Sequence, residues 1–325
     1  MKVLITGGAG FIGSYLAENY LGLGHEVYII DDLSTGTLTN IKHLQEDKNL
    51  KNRFFVSIDT ILNDNALLEL VGICDVVIHM AAAVGVQYIL ENPLSSIVTN
   101  IKGTEKVLEF CNKFKKKVLI ASTSEVYGKH THAPLLETDN IIYGPSTKFR
   151  WSYAAAKLMD EFTALAYYRT KKLDVYIIRL FNTVGPRQTG RYGMVIPRFV
   201  QQALRDEPIT VYGDGRQTRT FSYVQDVVDA VVKLIETKDA VGQVINVGGV
   251  DEVSIRSLAE RIKELTASSS DIKFIPYDEV YTKDFEDMQR RVPSIEKIEN
   301  LIGWRPTTGL NEILEKVIEY YRSDG

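Results

Sequence analysis

The chain has 325 residues, of which 45% are hydrophobic and 25% charged, and it carries a formal net charge of −4. That balance suits one large globular core or two modest ones, and the acidic excess argues against a nucleic-acid binder, which carries a basic face. No apolar run reaches the roughly 20 residues of a membrane span, and the start runs straight into a strand pattern without a signal-peptide-like segment.

Two cysteines, Cys74 and Cys111, sit in apolar surroundings without metal-ligand spacing. They read as buried thiols of a reducing compartment, which makes the cytoplasm the expected location. Neither low-complexity blocks nor internal repeats interrupt the pattern.

From residue 1 to 180, short β-branched runs alternate with longer amphipathic stretches. The predicted strands are Val3–Thr6, Glu26–Ile30, Arg53–Val56, Asp75–His79, Lys117–Ala121 and Asp174–Ile178. Their near-continuous apolar character suits strands covered on both faces, as in a parallel sheet flanked by helices. The expected fold is therefore α/β, a Rossmann-type doubly wound parallel sheet. A smaller α/β substrate-binding domain follows from residue 181 to 325, interleaved with the first. The strand pattern of Gln243–Gly248 is expected to rejoin the main sheet from within a stretch at about 220–250.

The first turn, Gly7-Gly8-Ala9-Gly10-Phe11-Ile12-Gly13, satisfies the dinucleotide-binding spacing through Gly8, Gly10 and Gly13 and a variant spacing through Gly7, Gly10 and Gly13. Glycines are needed there because the chain turns sharply, a pyrophosphate must approach the backbone, and the next helix must pack closely on the strand. Asp31 follows roughly 20 residues later, at the end of the second strand, as the fingerprint asks. Its carboxylate accepts from both ribose hydroxyls and repels a 2′-phosphate, so NAD is favoured over NADP. Asp32 is read either as a second contact or as a cap on the Leu33-Ser34-Thr35 turn. Asp59-Thr60, after the third strand, is expected beside the adenine. Of His79-Met80-Ala81-Ala82-Ala83, the alanines let backbone pass close to the cofactor, and His79 is expected as a packed strand-end side chain.

Tyr153 and Lys157 stand four residues apart in the Ala-rich run Arg150-Trp151-Ser152-Tyr153-Ala154-Ala155-Ala156-Lys157. That spacing puts a phenol and an ammonium on one helix face. The cation favours the phenolate, so Lys157 is expected to draw the Tyr153 pKa down toward the working pH, where a general base is most effective. Ser122-Thr123-Ser124-Glu125-Val126-Tyr127-Gly128, at the end of the fifth strand, supplies hydroxyls and a carboxylate for the same site.

Together these motifs resemble the extended short-chain dehydrogenase/reductase family of nucleotide-sugar epimerases, dehydratases and decarboxylases. The resemblance continues through Arg179-Leu180-Phe181-Asn182-Thr183-Val184-Gly185-Pro186-Arg187, Ile209–Gly215 and Arg291-Val292-Pro293, so it spans essentially the whole length. It implies that Thr123 hydrogen-bonds the sugar 4-hydroxyl, that Tyr153 removes its proton as hydride passes from C4 to the nicotinamide, and that Lys157 holds the ribose and tunes Tyr153. It implies NAD contacts from Gly7, Gly10, Phe11, Ile12, Gly13, Asp31, Asp32, Ser34, Asp59, Ala81, Ala82, Ala83 and Asn100, besides Tyr153 and Lys157. It implies substrate contacts from Val84, Asn182, Val195, Tyr212, Arg219 and Arg291, the two arginines gripping the diphosphate and Tyr212 stacking beside the base. Arg290 is either their partner or a surface cation. Ser294 replaces a common Asp and is expected to cap the helix that follows.

Ser124-Glu125 bears on which reaction follows C4 oxidation. Related 4,6-dehydratases commonly carry Asp-Glu there, and simple 4-epimerases carry small or neutral residues. UDP-glucuronate decarboxylases carry Thr-Ser-Glu, and their bacterial 4-keto-forming kind has Arg-Trp ahead of the tyrosine, as Arg150-Trp151 here. The stretch Arg187–Phe199 looks instead like chains labelled 4-epimerases. UDP-glucuronate decarboxylase is the favoured reading, 4-epimerase the second and dehydratase the third. A net dehydrogenase that releases reduced cofactor is a further alternative, as is a catalytically silent NAD-binding regulator, which the presence of both Tyr153 and Lys157 opposes. The helical patterns Val98–Phe114 and Tyr153–Tyr168 resemble those that build a four-helix bundle in family homodimers.

Overall fold

The computed structural model describes residues 1–190, 194–280, 286 and 288–323. The first part of the chain alternates strands and helices: β1 (Lys2–Thr6), α1 (Phe11–Gly22), β2 (Glu26–Asp31), α2 (Lys42–Glu46), β3 (Phe54–Ile58), α3 (Asp64–Ile73), β4 (Val76–His79), α4 (Val86–Glu91), α5 (Pro93–Phe114), β5 (Lys117–Thr123), α6 (Ser152–Lys171) and β6 (Val175–Leu180). Shorter elements follow: β7 (Thr183–Val184), α7 (Val195–Leu204), β8 (Ile209–Tyr212), β9 (Thr218–Arg219), β10 (Ser222–Tyr223), α8 (Val224–Glu236), β11 (Val244–Val247) and β12 (Val253–Ser254). The chain closes with α9 (Ile255–Thr266), β13 (Ile272–Ile275), α10 (Tyr277–Val280), β14 (Arg290–Arg291), α11 (Glu296–Ile302) and α12 (Leu310–Ser323).

Seven strands make one sheet in the order β11-β6-β5-β4-β1-β2-β3, with every pairing parallel. All six predicted strands of the first 180 residues are present, with ends shifted by a residue or two. Alternation along each strand divides the core into two layers. Val3, Ile5, Val27, Ile29, Ile78 and Ile245 face α1, α8 and α11. Leu4, Ile30, Val77, Val118, Ile120 and Ile177 face α3, α5 and α6. Both faces are thus covered, which is why the strand sequences lack polar alternation. Cys74 and Cys111 lie unoxidised in the second layer, and burial pushes the Cys74 thiol up to about 12.

A separate apolar cluster joins α7, α9 and α12 to β8. Short strands accompany it: the three-stranded β12-β9-β14 and the two-stranded pairs β10-β7 and β13-β8. Ser294 does not cap α11 as expected. The cap position is Ile295, whose side chain makes no capping bond, and the Ser294 hydroxyl accepts from the Glu296 amide only at 3.5 Å. Among the described residues no helix is long and apolar enough to cross a membrane.

Candidate active site

Order reverses in the sheet between β1 and β4, the point where an open α/β sheet leaves a crevice outside its carboxyl ends. A cavity of about 560 Å³ lies there, continuing between the sheet and the short strands beyond it. Its wall brings together Gly7, Gly10, Phe11, Ile12, Gly13, Asp31, Asp32, Ser34, Asp59, Ala81, Ala82, Ala83 and Val84 at one end. Thr123, Ser124, Glu125, Arg150, Tyr153, Asn182, Val195, Tyr212, Arg219 and Arg291 meet at the other.

The first end has the shape of a dinucleotide cradle. Gly7 has φ +70°, and a Cβ on it would lie 2.9 Å from the Ala81 amide nitrogen; a Cβ on Gly13 would lie 2.1 Å from the Gly7 carbonyl. Only glycine lets the turn and α1 approach this closely. Helix α1 begins at Gly10 with no side-chain cap, so its first amides face the cavity for an anion. The Asp31 carboxylate is buried and accepts from Ala9 N and Leu33 N, each at 2.9 Å. Burial holds its pKa above the usual carboxylate range, against the pull of those amides. Asp32 caps its own turn by accepting from Ser34 N at 2.9 Å while still lining the cavity. Asp59 accepts from Thr60 N and Asn63 Nδ2, both at 2.7 Å.

Two expected cofactor contacts stand behind the wall. Asn100 is buried and holds the Ala83 backbone from both sides, accepting from its amide at 2.8 Å and donating to its carbonyl at 3.2 Å. Lys157 is also buried, and its ammonium pairs with Asp160 at 2.8 Å. His79 is packed, as expected, between the Thr6 and Thr104 hydroxyls at 2.7 and 3.1 Å, and burial pushes its pKa down to about 3.

The protein's own groups push the Tyr153 phenol up, contrary to the expected lowering by Lys157. Burial is the largest cause, followed by the negative charges of Glu125 and Asp160; Arg150 and a hydrogen bond with Thr123 oppose them. The spacing that places Lys157 beside Tyr153 also places Asp160 one turn beyond the lysine, where it takes up the cation.

Beyond Thr123 the chain turns sharply through Ser124–Tyr127, with the Thr123 hydroxyl accepting from Glu125 N at 3.2 Å. This aims Glu125 between two guanidinium groups. Its Oε2 pairs with Arg150 Nη1, and its Oε1 lies 3.6 Å from Arg291 Nη1, which also donates to Ser124 Oγ at 3.4 Å. Burial alone would raise the Glu125 pKa, but Arg150, then Arg291 and Arg219, hold it below the ordinary carboxylate range. Arg291 therefore meets the Ser124-Glu125 turn. Arg290 turns to the surface and pairs with Glu252 at 2.7 Å.

Asn182, at φ +35°, donates to the Thr220 carbonyl at 2.7 Å, and Arg219 donates to the Thr218 carbonyl at 2.8 Å. One face of Tyr212 is covered by the Arg198 guanidinium, 3.7 Å from the ring centroid. Sequence reasoning singled out neither Arg198 nor Asp160 as a site residue. Arg198 carried no signal, whereas Asp160 was detectable by its i+3 spacing from Lys157. Within the Arg187–Phe199 stretch, residues 191–193 lie outside the described residues. No group of three or more His, Cys, Asp or Glu among the described residues is placed to hold a metal ion.

The family model described as GDP-mannose 4,6 dehydratase matches residues 4–317. The chain belongs to this family. It is 42% identical to the UDP-N-acetyl-alpha-D-glucosaminuronate decarboxylase of Bacillus cytotoxicus, over 99% of this chain and 98% of that protein. It is 35% identical to UDP-glucuronic acid decarboxylase 1 of Xenopus tropicalis, over 99% of this chain and 72% of the relative. Among solved structures, the UDP-glucuronic acid 4-epimerase of Bacillus cereus, in complex with UDP-glucuronic acid and NAD, superposes with a TM-score of 0.89 at 31% identity, covering all of both chains. The expected resemblance to nucleotide-sugar short-chain dehydrogenase/reductases thus holds along the whole chain, and the fold agrees with it.

Proposed function

We propose that the protein is an NAD-dependent UDP-uronate decarboxylase that works through oxidation at sugar C4. The observation that carries this reading is the turn after Thr123, where Arg291 meets both the Ser124 hydroxyl and the Glu125 carboxylate in the wall that Tyr153 also lines. A guanidinium and a hydroxyl side by side suit a carboxylate on the sugar. Both decarboxylase relatives act on uronates by their names.

In this reading residues 1–180, with the stretch at about 220–250, hold the cofactor, and the remainder mainly holds the nucleotide sugar. The glycine turn and the α1 amides receive the pyrophosphate, Asp31 the adenosine ribose, and Asp59 lies by the adenine. When bound, NAD supplies the hydride acceptor and the positive charge of its nicotinamide ring. Tyr153 takes the proton of the sugar 4-hydroxyl, with the Thr123 hydroxyl positioning that oxygen. Lys157, charge-paired to Asp160, keeps the helix that carries Tyr153 in register with the ribose. Arg291 and the Ser124 hydroxyl grip the sugar carboxylate, which becomes a leaving group once a ketone stands at C4. Arg219 serves the diphosphate, and Tyr212 lies beside the base. Glu125, held ionised, orients Arg291 and does not act as a proton donor.

A second reading, UDP-uronate 4-epimerase, is favoured by the full-length likeness to the Bacillus cereus epimerase. It uses the same oxidation and keeps the carboxylate. Incubation of the pure protein with NAD and UDP-glucuronate, UDP-N-acetylglucosaminuronate, UDP-glucose and dTDP-glucose, followed by mass spectrometry, decides between them. Loss of carbon dioxide from a uronate supports the decarboxylase; an isobaric product of altered retention supports the epimerase; loss of water from a hexose would overturn both.

We also infer a cytoplasmic homodimer without nucleic-acid or membrane partners. Its support is the pair of buried thiols, the acidic balance, and an apolar strip across α5 and α6 where Leu94, Met159 and Phe162 are 74%, 51% and 59% exposed.

A further inference from the structure

Helix α6 carries Tyr153, Lys157 and Glu161 at four-residue intervals, hence along one face. The mechanism uses the first two. Glu161 is buried, and against it lie Ser122 and Arg179, direct neighbours across the β5–β6 ladder and also buried. Its Oε1 accepts from the Ser122 hydroxyl and from Arg179 Nε at 3.0 Å, and its Oε2 accepts from Arg179 Nη2 at 2.8 Å. The remaining guanidinium nitrogen, Nη1, donates to the Glu137 carbonyl at 3.5 Å. The same group lies 4.7 Å from the centre of the Tyr127 ring, which closes the Ser124–Tyr127 turn. Neither Glu161 nor Arg179 is among the residues that line the cavity, so neither meets a ligand there.

A buried ion pair is a poor source of stability, because the desolvation of two charges offsets their attraction. What this pair does is join the elements that carry the reacting groups. Ser122 immediately precedes Thr123, whose hydroxyl hydrogen-bonds the Tyr153 phenol. Arg179 backs the turn that bears Ser124 and Glu125, and Glu161 shares a helix with the phenol. We propose that Glu161 is a positioning residue: anchored to Ser122 and Arg179, it sets the tilt of α6 on the sheet and so holds the Tyr153 phenol at the Thr123 hydroxyl. This role presupposes Tyr153 as the base, the reading given above. Eight residues of helix put the anchor about 12 Å from Tyr153. A tilt of about 5° then carries the phenol through about 1 Å, and a misplacement of that size costs about 100-fold in rate. 

The test is steady-state kinetics with NAD and UDP-glucuronate or UDP-N-acetylglucosaminuronate, whichever the parent turns over faster. Ser122→Ala releases β5 and leaves the ion pair in place, whereas Glu161→Leu combined with Arg179→Met removes the pair without stranding a charge. kcat should fall about tenfold in the first and about 100-fold in the second. KM and the NAD Kd should stay within about twofold of the parent, and the unfolding midpoint close to it. The acid limb of the kcat/KM profile should move to higher pH in both, because Tyr153 loses the Thr123 hydrogen bond that lowers its pKa. A purely structural pair predicts either an unchanged kcat in the folded variants or kcat, KM and NAD affinity degraded together, with the acid limb in place. Each of those patterns overturns the proposal. Full activity in Tyr153→Phe brings down the base and the positioning role with it. An inactive Tyr153→Phe protein, beside Ser122→Ala and double-variant proteins of full activity, sinks the positioning role alone. Circular dichroism identifies a double variant that does not fold, and Ser122→Ala then decides by itself.

Discussion

The Lys157 ammonium lies 2.8 Å from the Asp160 carboxylate within α6, both side chains 2% exposed, so the cation that flanks Tyr153 is balanced from its own helix. Asp160 is also one of the two anions that push the Tyr153 phenol up. Replacing it by Asn removes that push, so the phenolate forms at lower pH, and the acid limb of the kcat/KM profile should move to lower pH. The same change leaves a buried ammonium without its counter-charge and should cost about 3 kcal/mol of stability in denaturant unfolding. An acid limb that stays in place would remove Asp160 from the account of the base.

Tyr153→Phe deletes the proton acceptor while keeping the ring that packs at the cavity wall. Turnover should fall by about 10²–10⁴-fold, the usual contribution of a positioned acid or base, and NAD binding measured by fluorescence should stay within about twofold, since a hydroxyl that contributes little to ground-state binding changes affinity by well under 1.4 kcal/mol. Full activity in this variant refutes the assigned base.

His79 gives the fold an acid sensitivity of predictable sign. Its pKa is about 3 in the folded chain, because burial disfavours the charged ring, against 6.5 as the ordinary value. The unfolded chain therefore binds a proton that the folded chain refuses. Stability is fully present above about pH 6.5 and is lost by up to about 1.4 kcal/mol per pH unit as pH falls toward 3. Denaturant unfolding between pH 7 and 4 should show this slope, and His79→Gln, which keeps a donor and an acceptor for Thr6 and Thr104, should flatten it by about one proton. An unchanged slope assigns the acid loss to other groups.

Phe162 stands in the apolar strip across α5 and α6. A glutamate there puts a charge into any interface the strip forms, so Phe162→Glu should shift the protein from dimer to monomer in sedimentation velocity while its circular dichroism spectrum stays the same. A parent protein that sediments as a monomer at micromolar concentration contradicts the homodimer.

Much of the fold was legible because its signals are local. The apolar runs of β1 to β6 announce strands buried on two faces, and Gly7 to Gly13 with Asp31 announce the turn at the switch point. What escaped the sequence depends on pairs that the fold creates. Nothing in the sequence brings Arg291 within 3.4 Å of Ser124, 167 residues away. Arg198 over Tyr212 is another such meeting, across 14 residues and two elements. The expected effect of Lys157 on Tyr153 had the opposite outcome for a different reason: the spacing rule was applied to one neighbour and not to the next, so Asp160 was left out of the balance.

The seventh strand reaches the sheet late. β11 pairs with β6 only after more than sixty residues of other structure have been laid down, and Asn246 within it accepts from the Tyr127 hydroxyl and donates to the carbonyls of Leu135 and Ser294. Until residue 247 has left the ribosome, the nascent sheet presents β6 as a raw edge, an open template for another chain. A fragment stopped at residue 180 keeps that edge for good, so it is expected to precipitate or to need a chaperone even though it contains every glycine of the nucleotide turn.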